Sequence, residues 1–117
     1  MTETLDTKDT LMARYKLVGK KTILAVNLAE VRASWVDENR IVAKTFIGEI
    51  EVSTVFLVLD HRFHDIDPGP PILFETIIFG GSLDKEETRY STWKEAKAGH
   101  LETVSRVKLA CEKETKS

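Results

Sequence analysis

Two short runs, residues 55–59 and 72–79, constrain the fold more than anything else in this chain. Both are apolar at successive rather than alternate positions, so a strand built from either presents hydrophobic side chains on both faces. Such strands belong at the centre of a sheet, with helices or a partner subunit supplying the cover. The first run extends back to Ile50, so residues 50–59 read as the longest strand. Pro68-Gly69-Pro70-Pro71 breaks the chain before the second run, and Gly80-Gly81 stops it.

Upstream of Gly48, which supplies a turn, Ile41, Ala43 and Thr45 alternate with Val42, Lys44 and Phe46, as in a half-exposed strand. Earlier still, two short apolar runs, 15–18 and 22–26, flank Gly19-Lys20-Lys21 and read as a small hairpin. Asn27 with Glu30 has the spacing of a helix N-cap, and Leu28, Val31 and Trp35 share a helical face. This predicts a short helix over 28–36, ended by Asp37-Glu38-Asn39. Thr92 with Glu95 forms a second capping box. Behind it Trp93, Ala96, His100, Val104, Val107 and Cys111 recur at spacings of three and four, opposite Lys94, Lys97, Glu102, Lys108 and Glu112. A long helix over 92–111 follows. Gly99 inside it costs about 1 kcal/mol relative to Ala, which points to close packing or a kink there.

The expected architecture is α+β: an antiparallel sheet of about four or five strands, one long C-terminal helix packed across it and one short helix at its flank. Trp35, Phe56, Phe74, Trp93 and Val104 are expected in the core. At 117 residues the chain makes one domain, placed at 13–113, with flexible segments at 1–12 and 114–117. The excess of two-faced apolar strand over helix predicts a homodimer or a protein partner.

Charge and cysteine usage exclude several classes. A net charge of −2 and a pI near 5.9 are wrong for a dedicated nucleic-acid-binding module, which carries a basic stripe. Cys111 stands alone, so neither an intramolecular disulfide nor a Cys-x-x-Cys site can form. The longest apolar stretch is too short to cross a bilayer, and residues 1–6 lack the pattern of a secretory signal. The expected location is the cytoplasm.

Three constellations could carry chemistry. Asp60-His61-Arg62-Phe63-His64-Asp65-Ile66-Asp67 holds three carboxylates and two imidazoles in a loop after the longest strand, enough to ligate a divalent ion or to orient a His base with an Asp. No standard ligand spacing is present, and Asp and His are ordinary loop residues, so the expectation is a loop without metal or cofactor. Glu75 is the lone carboxylate of its apolar strand. It must be paired or lie at an edge, and an ion pair with Arg or Lys is the expected solution. Register places it near residues 55–57, away from His61. His100 falls on the apolar stripe of the long helix, where it is expected to be a core residue donating one ring hydrogen to a backbone carbonyl. Trp93 reads as the core anchor of that helix, Cys111 as a small buried hydrophobe, and Gly80-Gly81-Ser82 as a strand-ending turn.

Three stretches carry a resemblance. They are Val52-Ser53-Thr54-Val55-Phe56-Leu57-Val58-Leu59-Asp60-His61, Pro71-Ile72-Leu73-Phe74-Glu75-Thr76-Ile77-Ile78-Phe79-Gly80-Gly81 and Tyr90-Ser91-Thr92-Trp93-Lys94-Glu95-Ala96-Lys97-Ala98-Gly99-His100. From about Tyr15 to Val107 the chain resembles a group of small, uncharacterised proteins encoded by bacteriophages and prophages. It departs from them at Val58 and in the His-rich segment 62–67, where such proteins tend to have small residues. The resemblance carries no chemistry with it. It implies a non-enzymatic accessory protein of phage type that binds a host protein in the host cytoplasm, including as an inhibitor of a host defence or nucleic-acid-handling system. Asp60, His61, Arg62, Phe63, His64 and Glu75 are the candidate binding residues. Two other classes stay open: a metal-dependent hydrolase or nuclease using Asp60, His61 and Glu75, and a structural or assembly protein of the virion.

Overall fold

The computed structural model describes residues 14–25, 27–36, 40–62 and 69–115. Its elements run β1 (Tyr15–Val18), β2 (Lys21–Leu24), α1 (Leu28–Val36), β3 (Ile41–Ile47), β4 (Ile50–Phe56), β5 (Phe74–Phe79), β6 (Glu87–Tyr90) and α2 (Trp93–Thr115). Strands β3 to β6 form a four-stranded antiparallel sheet in the order β3-β4-β5-β6, and β1-β2 is a separate hairpin. The architecture is the α+β one expected, with the two-faced apolar strands β4 and β5 at the centre of the sheet.

The main departures from expectation have local reasons. β4 ends at Phe56 rather than at residue 59 because Val58 takes a left-handed conformation with φ 71°, a strained choice for a β-branched residue. Complete burial of its side chain in the core offsets that strain. The turn redirects the chain to the hairpin, where the Tyr15 N–H donates to the Val58 carbonyl at 2.6 Å and Arg14 bridges Leu59. β6 was not expected at all, since Glu87-Thr88-Arg89-Tyr90 is short and mostly polar. Finally, α2 continues to Thr115, past residue 111 where the helix was expected to end.

Both helices start as their caps dictate. The Glu30 N–H donates to Asn27 Oδ1 at 3.0 Å, while the Glu30 carboxylate pairs with Lys16 of β1 at 2.7 Å and ties α1 to the hairpin. At α2 the box is reciprocal: the Glu95 N–H donates to Thr92 Oγ1 and the Thr92 N–H to Glu95 Oε1, both at 3.1 Å.

Strand register sorts the sheet residues by face. One face carries Thr45, Val52, Thr54, Phe56, Phe74, Thr76, Ile78 and Tyr90 and packs against α2. Two apolar clusters occupy this interface. Phe56, Phe74 and Ala96 belong to the first, with Val58 and Leu73; Val52, Ile78, Val104 and Val107 form the second. Phe56, Phe74 and Val104 are therefore buried as expected, whereas Trp93 is only half-buried, its ring meeting Phe74 edge-on at 6.3 Å. The side chain of Trp35 lies outside the described residues. Cys111 is half-buried at the end of the second cluster rather than fully enclosed. Gly99 is explained by close packing: a Cβ there would fall 2.2 Å from the ring of Tyr90.

The opposite face carries three rows. Phe46, Glu51 and Phe79 make the first, Lys44, Ser53, Ile77 and Glu87 the second, and Ile41, Val55, Glu75 and Arg89 the third. Neither described helix packs there. Phe46 is 64% exposed, and Ile41 and Phe79 are exposed with it.

Candidate functional site

Asp60 is a structural residue of its loop. It is 2% exposed, and its Oδ1 accepts the N–H groups of Arg62 and Ile72, both at 2.9 Å, which pins the start of the loop to its end. The His61 N–H joins the same closure by donating to the Ile72 carbonyl at 3.0 Å. Arg62 turns back as well, its Nε donating to the Pro70 carbonyl at 2.7 Å. Burial raises the Tyr15 hydroxyl above its ordinary pKa, and the nearby Asp60 charge adds to that rise. Phe63, His64, Asp65 and Asp67 lie outside the described residues. Among the described ones, no three His, Cys, Asp or Glu side chains gather as a metal site would need.

Glu75 is held elsewhere. It pairs across the strand with Val55 and Arg89, is 7% exposed, and accepts from Arg89 Nε at 2.8 Å. This is the ion pair expected for a lone strand carboxylate. Glu75 thus engages a different partner from Asp60 and His61, and the three do not gather as a metal site would need.

The most developed polar arrangement was not anticipated. His100, 2% exposed, sits between the two apolar clusters, and both ring nitrogens meet threonine hydroxyls: Nδ1 lies 2.7 Å from Thr54 Oγ1 and Nε2 2.9 Å from Thr45 Oγ1. No backbone carbonyl takes the ring hydrogen, contrary to expectation. Thr54 in turn meets Thr76 at 2.5 Å, and the Tyr90 hydroxyl donates to Thr76 Oγ1 at 3.1 Å. Each hydroxyl donates once, so the chain runs one way: Tyr90 to Thr76, Thr76 to Thr54, Thr54 to Nδ1, and Nε2–H to Thr45. A protonated ring would donate at both nitrogens and leave the Thr76 hydrogen without an acceptor in this chain. Burial lowers the His100 pKa below 6.5, and the charge of Lys97 adds to the effect. The imidazole is therefore neutral, and too enclosed to meet a substrate. Its role is to join helix to sheet. The signal in sequence was three threonines, 45, 54 and 76, at inward positions of adjacent strands.

Two surfaces remain open. The turn lysines Lys20 and Lys21, with Thr22, border a shallow cleft of about 330 Å³ completed by Ser91, Thr92 and Trp93. The other is the uncovered sheet face, where Phe46, Ile41 and Phe79 are bordered by ion pairs. Lys44 lies 3.5 Å from Glu51, Arg89 lies 3.6 Å from Glu87, and Lys85 stacks over the Phe79 ring at 5.0 Å. Exposed apolar side chains interspersed with ion pairs give this face the mixed composition of a protein-docking surface.

Compared with protein-family models, curated proteins and solved structures, the chain finds no match. No helix among the described residues is long and apolar enough to cross a membrane.

Proposed function

We propose that this protein is a non-enzymatic accessory protein of the phage type, working in the host cytoplasm by binding a host protein through the open face of its sheet. The observation that carries this reading is the exposure of Phe46, Ile41 and Phe79 on a face that neither described helix covers. Large apolar side chains exposed on a sheet face gain free energy when another protein excludes water from them. Side chains on strands are also held in fixed geometry, so little entropy is lost on docking. The hydrolase reading draws no comparable support, because Asp60 and Glu75 are each committed to structural partners.

Affinity purification of the tagged protein from expressing cells tests the proposal. The wild-type chain should retain a specific host protein, and Phe46→Asp should lose it while keeping the wild-type unfolding temperature. Retention of the same proteins by both, or a metal-dependent hydrolysis abolished by His61→Ala, would overturn the reading. Co-purification with virus particles instead would point to a virion protein.

A further inference from the structure

We infer that the open sheet face also pairs with a second copy of this chain, face to face about a two-fold axis parallel to the strands. The inference rests on the reading of that face as a protein-docking surface and names a partner for it.

The argument comes from the charge order across the sheet. The middle row reads Lys44 on the β3 edge, then Ser53 and Ile77, then Glu87 on the β6 edge. A two-fold axis along the strand direction keeps each row at its level and reverses its left-right order. Lys44 of one copy then lies over Glu87 of the other, and the reciprocal pair forms at the opposite edge. The other in-plane axis, perpendicular to the strands, would set Lys44 over Lys44 and Glu87 over Glu87, and like charges facing each other are disfavoured. In this row only the first arrangement is complementary.

In the aromatic row Phe46 occupies the β3 edge, Glu51 lies on β4 and Phe79 on β5, with Lys85 stacked over the Phe79 ring at 5.0 Å. Reversal sets Glu51 of each copy over Phe79 of the other and brings Phe46 of the second copy to the side of Phe79 where Lys85 lies. Both rings, exposed in the single chain, would leave water together. Sheets packed this way meet nearly aligned, at about −30°.

The expected affinity is modest. Four strands about 4.8 Å apart and some five residues long give a face on the order of 350 Å² per copy. That is the size class of weak, transient association, so a host protein that fits the face better can displace the second copy.

Sedimentation equilibrium of the full chain from about 1 to 500 μM provides the test. The wild type should show a reversible monomer–dimer equilibrium. Lys44→Glu and Glu87→Lys should each weaken it by about tenfold or more, and the double variant should recover to within about threefold of wild type. Each single change also creates a local repulsion, with Glu51 or Arg89, and the double variant keeps both. Recovery can therefore come only from pairs between copies. Unfolding temperatures measured at low concentration verify that each variant is folded. A wild type that stays monomeric throughout, a dimer indifferent to both charge reversals, or a double variant no better than the singles overturns the inference. If the wild type is monomeric and Phe46→Asp still abolishes capture of a host protein, only the second-copy inference fails. If Phe46→Asp affects neither association nor capture, the docking reading fails with it.

Discussion

Phe74 and Phe46 belong to the same four-stranded sheet, yet the first is 0% exposed and the second 64%. The face of Phe74 is closed by α2, which meets it with two apolar clusters and the histidine–threonine layer between them. The face of Phe46 mixes rings with ion pairs and meets no described helix. The contrast separates two uses of apolar surface. On one face it holds the chain together; on the other Phe46, Ile41 and Phe79 are left exposed.

The sharpest way to break this contrast is to truncate both rings. Phe74→Ala should lower the unfolding free energy by about 3–5 kcal/mol, while Phe46→Ala should stay within about 0.5 kcal/mol of wild type. Equal losses in urea titrations would show that the two faces are not different in kind. Next in size is Gly99→Val, expected to cost about 1–3 kcal/mol because the new side chain must displace the Tyr90 ring. In a Tyr90→Ala background the same substitution should cost much less.

The polar layer of the closed face should be visible as pH dependence. His100 has a folded-state pKa below its ordinary 6.5, so the unfolded chain takes up a proton before the folded one does. Its contribution to stability is full above about pH 6.5 and falls as pH drops towards the folded pKa. Below that value the loss levels off, and the slope never exceeds about 1.4 kcal/mol per pH unit for one proton. Urea titrations between pH 7.5 and 5 should show this component, and His100→Gln should remove it. A wild-type profile unchanged by that substitution would leave the neutral-imidazole assignment without support.

The smallest effects should come from the ion pairs of the open face. Arg89→Met strands the enclosed Glu75 carboxylate and should cost about 1 kcal/mol, discounted for the partial exposure of Arg89. Lys44→Met breaks only an exposed pair and should stay within about 0.5 kcal/mol. Thermal unfolding in low and high salt compares the two, and reversal of their order would mean that Glu75 has another way to be stabilised.

What was legible in the sequence was whatever depends on near neighbours. The caps at Asn27 and Thr92, the stripe Ala96–His100–Val104–Val107, the central position of β4 and β5 and the pairing of Glu75 with a cation follow from spacing and burial cost alone. What was not legible depends on register between distant strands. Thr45, Thr54 and Thr76 look like ordinary strand residues until two strand pairings align them under His100. The strand at Glu87 to Tyr90 lacked any apolar alternation, because its outward side chains are Glu87 and Arg89. At Asp60 the residue types alone left structural and binding roles side by side. A carboxylate that caps two amides 10 residues apart in the chain has the same sequence signature as one that binds an ion.

The order of the sheet also bears on how the chain comes into being. Every strand from β3 to β6 pairs with its neighbour in sequence, so the register needs no distant segment to settle, and such local pairings form early. The 23 residues of α2 come last. At about 5–20 residues per second, a ribosome needs on the order of one to five seconds to add them. During that interval the side that will receive α2 is covered only where Ala25, Val31, Tyr15 and Leu17 pack beside Phe56 and Phe74. Until α2 docks, a nascent chain therefore exposes apolar side chains on both sides of its sheet.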